Sequence, residues 1–250
     1  MVTKIIGLKS SLDQDQLKHK IIEDLELLEL HLYEKDFLDF SKFKEKLLNI
    51  HNKHPNLKIM LHAPFMEKQK EYLSLSEYNA NIYYKIYSLC KQLNYIIGFV
   101  IHSAYKDQPM EKSISNLNLL RDKYKGIDKY MYIENQTNNF SENKEKWLEF
   151  IKIAKISRIC FDVCHFTKNY SLEDIEEYLF SLRKCITKIY FHISDNNPKT
   201  GNSNPLNLGQ GSLDLKRLKE HIDFGIIETF PKDEKIGKEV ILDYYYFLGL

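Results

Sequence analysis

Six short apolar runs in this sequence end in a side chain able to bind a metal or move a proton: Leu61-His62, Ile101-His102, Ile133-Glu134, Phe161-Asp162, Phe191-His192 and Ile227-Glu228. The run Ile156 to Phe161 is the plainest case, stopping at Asp162 with His165 three residues later. An unpaired charge under apolar cover costs on the order of several kcal/mol, so groups of this kind need partners. Brought to one cavity, three imidazoles and three carboxylates would repel or desolvate one another unless a cation joined them. With a cation present, each becomes a ligand. A mixed nitrogen and oxygen set suits Zn²⁺, Mn²⁺, Fe²⁺ or Co²⁺ better than Mg²⁺. Six donors exceed what one ion takes, and two ions bridged by a carboxylate would use them all. The expected cofactor is therefore a divalent metal, one or two ions, with Zn²⁺ or Mn²⁺ foremost.

Taken singly, each residue has a plainer reading. A strand-end histidine is more often a hydrogen-bonded core residue than a ligand, and a strand-end acid often only caps the next helix. It is the recurrence at His62, His102, Glu134, Asp162, His192 and Glu228 that points to one metal site. His165 could be a ligand, a substrate contact or a group that orients Asp162. Asn135 and Asp195, just beyond two of the ligands, are candidate supporting or substrate contacts. Glu29 and His31 share one face of a strand and could reach the pocket, although a surface strand end explains them equally well. His19, His51, His54 and His221 read as solvated.

Positioning these residues requires strands that all run one way. Apolar runs and amphipathic segments alternate along the chain. Strands are expected at Thr3–Leu8, Leu27–Leu32, Leu57–Leu61, Ile96–Ile101, Tyr130–Ile133, Ile156–Phe161, Ile186–Phe191 and Phe224–Ile227. Helices are expected at Leu12–Ile22 (capped by Ser10 or Ser11), Phe40–His51, Glu77–Leu93, Met110–Tyr124, Lys144–Ala154, Leu172–Leu182 (capped by Ser171), Asp214–His221 and Asp233–Leu248. Pro64 is expected to turn the chain straight after His62, because proline cannot continue a ladder. Eight strand–helix units define a single (β/α)₈ TIM barrel, an α/β fold whose strand C-termini share one face and build the active site there. An open doubly wound sheet would want a glycine-rich first turn, and Gly7-Leu8-Lys9-Ser10 is not one.

The 250 residues suffice for one large domain, 1–250, and no linker interrupts them. The segment Asn196–Gln210, rich in Asn, Gly, Pro and Ser, suits a loop within that domain. A net charge of +1 draws the chain neither to nucleic acid nor to a membrane as a whole, although a local basic groove is compatible with it. Four scattered cysteines without a CxxC pair, and a first strand that begins at once, predict a reduced, cytoplasmic protein with no membrane partner. Oligomerisation is left open. Lys106, Lys168 and Lys199 are loop candidates for a phosphate contact.

In this order, Leu61-His62-Ala63-Pro64-Phe65, Ile101-His102-Ser103, Ile133-Glu134-Asn135, Phe161-Asp162-Val163-Cys164-His165, His192-Ile193-Ser194-Asp195-Asn196, Leu208-Gly209-Gln210-Gly211 and Ile227-Glu228-Thr229 resemble the xylose isomerase-like TIM-barrel superfamily. That superfamily includes sugar isomerases, sugar phosphate epimerases and endonuclease IV. The resemblance implies that Glu134, Asp162, His192 and Glu228 hold a divalent ion. It also implies that Glu134 and Glu228 are the catalytic pair, exchanging protons with the carbon beside the carbonyl of a small carbohydrate. The alternative it implies is an endonuclease IV-like zinc-dependent AP endonuclease or phosphodiesterase acting on DNA. His62, His102 and the Asp162-to-His165 step match that pattern. Its third zinc site is degraded, since the remaining ligand positions read Ser203 and Pro205. A barrel that binds metal and ligand without turnover is the third reading.

Overall fold

Period-two alternation within the strands decides which side chains line the inside of this molecule and which meet its helices. The structure is a computed structural model and describes residues 4–66, 71–72, 80–197, 205–229 and 237–249. Its strands and helices follow in the order β1 (Ile5–Ser11), α1 (Gln14–Lys20), β2 (Leu27–Tyr33), α2 (Phe40–Lys53), β3 (Lys58–Met66), β4 (Glu71–Tyr72), α3 (Ala80–Gln92), β5 (Ile96–His102) and α4 (Met110–Lys123). The second half continues with β6 (Met131–Glu134), α5 (Lys144–Ile153), β7 (Arg158–Asp162), α6 (Val163–Thr167), α7 (Leu172–Leu182), β8 (Lys188–Ile193), α8 (Leu215–Glu220), β9 (Phe224–Ile227) and α9 (Lys238–Gly249).

The sheet order is β2-β1-β9-β8-β7-β6-β5-β3, and a further pairing of β2 with β3 closes the ring. All eight of these strands pair in parallel, and closure leaves no open edge. The two-residue β4 is added antiparallel to the end of β3. This is the expected (β/α)₈ barrel.

Two apolar clusters hold it. The outer cluster packs strand residues such as Leu8, Leu30, Ile101, Ile133, Phe161 and Ile227 against Leu47, Ile86, Leu117, Trp147, Leu179 and Phe247 of the helices. Each such buried side chain stabilises the fold by about 1.5–3 kcal/mol. The inner cluster is a plug of Leu27, Met60, Val100, Tyr132, Cys160, Tyr190 and Ile226, one from each of seven strands. Two residues further along the same strands stand Glu29, His62, His102, Glu134, Asp162, His192 and, just past β9, Glu228. Because side chains two apart share a face, the polar ring rises directly above the apolar one. The eighth strand carries Gly7 at the plug level. A Cβ there would lie 2.2 Å from the Leu27 carbonyl oxygen, so only glycine fits.

Several boundaries differ from the sequence expectation for local reasons. β1 runs on to Ser11, so neither Ser10 nor Ser11 caps α1. Asp13 does so instead, its carboxylate accepting from the amides of Asp15 and Gln16. Pro64 does not end β3. It falls in an irregularity where the pairing jumps from His31↔His62 to Tyr33↔Phe65, so no ladder bond is asked of it. The short α6 was not anticipated; Asp162 caps it by accepting from the His165 amide at 2.8 Å. The capping of α7 by Ser171 is as expected. The expected helix starts at Glu77 and Asp233, and Ser203 and Lys199, lie outside the described residues.

Candidate metal centre

The strand registers bring the polar ring together. His31 pairs with His62, His102 with Glu134, and Asp162 with His192 across neighbouring strands. Glu134 sits in the middle. Its Oε2 lies 3.2 Å from His62 Nε2 and 3.3 Å from His102 Nε2, and its Oε1 lies 3.3 Å from His192 Nδ1. His192 Nδ1 is also 2.5 Å from Glu228 Oε2 and 4.0 Å from Asp162 Oδ2. Among the described residues, the ligand-type atoms fall into three groups within metal-binding reach: Glu134, Asp162, His192 and Glu228; His62, His102 and Glu134; and Glu29, His62 and His192.

The donor set fits a divalent ion. His192 Nδ1 and Glu228 Oε2 are buried and crowd each other at 2.5 Å, and neither makes a hydrogen bond of regular geometry. Two atoms so placed, beside two further carboxylates, are what a cation would satisfy. His62 adds a second sign. Its Nδ1–H donates to the Ala63 carbonyl at 3.0 Å, so Nε2, 3.2 Å from Glu134 Oε2, is the ring nitrogen that faces the carboxylates. A ligating histidine is usually fixed in this way.

The electrostatics follow from burial set against charge. Burial opposes ionisation of Glu134, but the His192 and His102 imidazoles hold its carboxyl well below the usual range. Glu228 is held down likewise, against burial, by His192 and the Lys9 ammonium. Asp162 goes the other way: burial pushes it up to about 6, with Glu228 and Glu134 adding to the rise against His165. Burial lowers His102 and so favours the neutral, ligand-competent imidazole, while Glu134 opposes the shift. Burial also disfavours the charged form of His192, but the Cys160 sulfur and the carboxylates of Glu228, Glu29 and Glu134 raise it well above the ordinary value. Burial drives the Cys160 thiol itself far up, so it stays protonated and the carboxylates carry the effect.

The remaining expected residues take different places. His165 stands at the rim, its Nδ1–H donating to the Asn135 carbonyl at 2.9 Å, with Asp162 Oδ2 at 3.5 Å. Asn135 braces the end of β7: its Nδ2 donates to the Asp162 carbonyl at 3.1 Å and its Oδ1 accepts from the Asp162 amide at 2.8 Å. Asp195 holds a loop rather than facing the ring. Its Oδ2 accepts from the amides of Gly209 and Gly211, each at 2.9 Å, and its Oδ1 from Leu213 and Asn196. Gly211 is required there, since a Cβ would lie 2.1 Å from Asp195 Oδ1. His51, expected in solvent, stacks on Tyr95 with ring centroids 3.9 Å apart. Lys168 pairs with Glu142 at 3.2 Å.

Of the two readings open for Glu29 and His31 the structure shows the pocket one, and it brings one further residue, Lys9, against the polar ring. Glu29 is not a surface strand end: it is fully buried, 2.9 Å from His192 Nε2. His31 lies beside His62, ring centroids 5.2 Å apart. Lys9, unanticipated, reaches Glu29 at 3.2 Å and Glu228 at 2.5 Å. Its signal was available in the alternation, since Lys9 follows Gly7 by two and shares its face.

Residues 24–240 match the family described as xylose isomerase-like TIM barrel. Among solved structures, the fold is similar to a D-tagatose 3-epimerase-like protein at TM-score 0.72, with 16% identity and 97% of each chain covered. It is also similar to a xylose isomerase domain protein from Planctomyces limnophilus at TM-score 0.69, with 12% identity over 99% of this chain and 96% of that one. The IOLI protein, solved with a bound zinc atom, matches at TM-score 0.64 and 15% identity, covering 99% of this chain and 100% of that one. No curated protein matches the sequence.

Proposed function

The chain belongs to the xylose isomerase-like TIM-barrel family, and from that membership we propose a divalent-metal-dependent isomerase or epimerase acting on a small sugar or sugar phosphate. The observation that carries the reading is the grouping of Glu134, Asp162, His192 and Glu228 at the C-terminal mouth of the barrel, with two ionised glutamates in one set. The relatives named as an epimerase-like protein and a xylose isomerase domain protein support it.

Glu134, Asp162, His192 and Glu228 would hold the ion. When bound, a divalent ion polarises a substrate carbonyl and its neighbouring hydroxyl as a Lewis acid. One of Glu134 and Glu228, ionised, would take the proton from the carbon beside the carbonyl, and the other, after picking up a proton from solvent, would return one to that carbon. The apolar plug under the ring keeps water from reaching the reacting carbon from below. His165, at the rim, orients substrate oxygens.

One observation favours a second reading, a zinc-dependent phosphodiesterase acting at abasic sites in DNA. His62 and His102 converge on Glu134 as a separate ligand group, which a single-ion isomerase does not need. One experiment separates the two. Protein reconstituted with Mn²⁺ or Zn²⁺ is incubated in deuterated water with a panel of ketoses and their phosphates, and in parallel with a duplex carrying one abasic site. The isomerase reading expects deuterium at the carbon beside the carbonyl, with Glu228→Gln and Glu134→Gln slowing exchange by about 10²–10⁴-fold. Full turnover in Glu228→Gln, or duplex nicking abolished by Glu134→Gln without any sugar exchange, overturns it.

A further inference from the structure

Four side chains from four adjoining strands close a ring of contacts at the side of the candidate metal centre. Lys9 Nζ, from β1, lies 3.2 Å from Glu29 Oε1 on β2. Glu29 Oε2 lies 2.9 Å from His192 Nε2 on β8. His192 Nδ1 lies 2.5 Å from Glu228 Oε2, just past β9, and Glu228 Oε1 lies 2.5 Å from Lys9 Nζ. The strands enforce the ring, because Lys9 and Glu29 are register partners in the β1–β2 ladder and the Glu228 amide bonds to the Ile193 carbonyl.

We propose that Glu29 is a positioning residue that holds His192 in the tautomer protonated at Nε2, so that Nδ1 is the atom offered to a metal ion. The inference rests on the metal-centre reading above. Both groups are fully buried, so water does not compete for either contact. A carboxylate only accepts, so Glu29 can take a proton from Nε2, and with a cation on the carboxylate-rich Nδ1 side the single proton of a neutral His192 is left on Nε2. Nδ1 is then a lone pair, aimed where Glu134, Asp162 and Glu228 converge.

A competing arrangement exists, because Glu29, His62 and His192 also form a metal-sized group. Charge decides against it. The Nδ1 side brings three carboxylates, the Glu29 side one, and that one already carries the Lys9 ammonium on its other oxygen. Lys9 therefore does two things: it turns Oε1 of both acids away from His192 and leaves one oxygen of each facing the imidazole.

The test uses Zn²⁺ as the probe and the full chain. Two-bond ¹⁵N–¹H spectra of Zn²⁺-loaded wild type are expected to show His192 protonated at Nε2 with Zn²⁺ on Nδ1. Calorimetric titration of metal-stripped Glu29→Gln, with circular dichroism as the folding control, is expected to show Zn²⁺ binding weakened by about 10- to 100-fold. Ligation of His192 through Nε2 overturns the inference while leaving the metal centre intact. So does a folded Glu29→Gln protein with wild-type affinity and unchanged His192 nitrogen shifts. Wild type that binds no Zn²⁺ overturns both this inference and the reading beneath it. The wild-type spectrum decides the matter even where Glu29→Gln fails to fold.

Discussion

His62 Nε2 and His102 Nε2 stand on the same oxygen of Glu134, at 3.2 and 3.3 Å, while its other oxygen faces His192. A carboxylate divided in this way is placed to bridge two ions. The chain is expected to bind two Zn²⁺ per molecule, and His62→Asn/His102→Asn one. Metal content after dialysis, measured by mass spectrometry, checks this. A double variant that matches the wild type would remove the histidine pair from metal binding.

Asp162 predicts a stability cost of the empty site. Its folded pKa is raised from 3.8 to about 6, chiefly by burial. The stabilisation tied to its neutral form is therefore full below pH 3.8 and is lost as pH rises through about 6. Asn removes the titration and still caps α6. In chelator, Asp162→Asn is expected to be more stable than wild type at pH 8 by on the order of 1–3 kcal/mol, with no difference near pH 3.5. Urea denaturation at both pH values reads this. Adding Zn²⁺ should reverse the order at pH 8, because the variant lacks the ligand.

His31 has the opposite sign. Burial, with His62 and Lys9 adding to it, depresses its imidazole to about 2 from 6.5. The unfolded chain thus takes up a proton below pH 6.5 that the folded chain refuses, so this contribution is intact above that value and declines as pH falls. In metal-free protein, His31→Asn is expected to flatten the acid limb of the stability curve between pH 6 and 4 by about 1.4 kcal/mol per pH unit. Denaturant midpoints across that range test it, and parallel curves would rule it out.

Asp195 and Gly211 form a lock at the mouth. Asp195→Ala strands the amides of Gly209, Gly211 and Leu213, and is expected to destabilise the fold by on the order of 2–5 kcal/mol. Gly211→Ala is expected to do comparable harm, because its Cβ would meet Asp195 Oδ1 at 2.1 Å. Chemical denaturation measures both, and a neutral Gly211→Ala would show that the loop can yield.

The barrel and its polar rim were legible because both are written at short range. Apolar runs ending in His, Glu or Asp mark strand ends one by one, and β9 and α7 fall at their expected boundaries. The role of Glu29 was not legible, because its partner His192 is 163 residues away and a half-buried strand end gives the same alternation. Lys9 was hidden by the early end assigned to the first strand. Asp195 next to an expected ligand looked like chemistry, whereas its acceptors were needed by amides of a loop some fifteen residues on. Pro64 misled because the rule about ladder bonds holds only where the neighbour offers one, and the β2–β3 register skips it.

Among the described residues, the plug of Leu27, Met60, Val100, Tyr132, Cys160, Tyr190 and Ile226 stoppers the barrel directly beneath the polar ring, so anything held in that ring rests on an apolar floor.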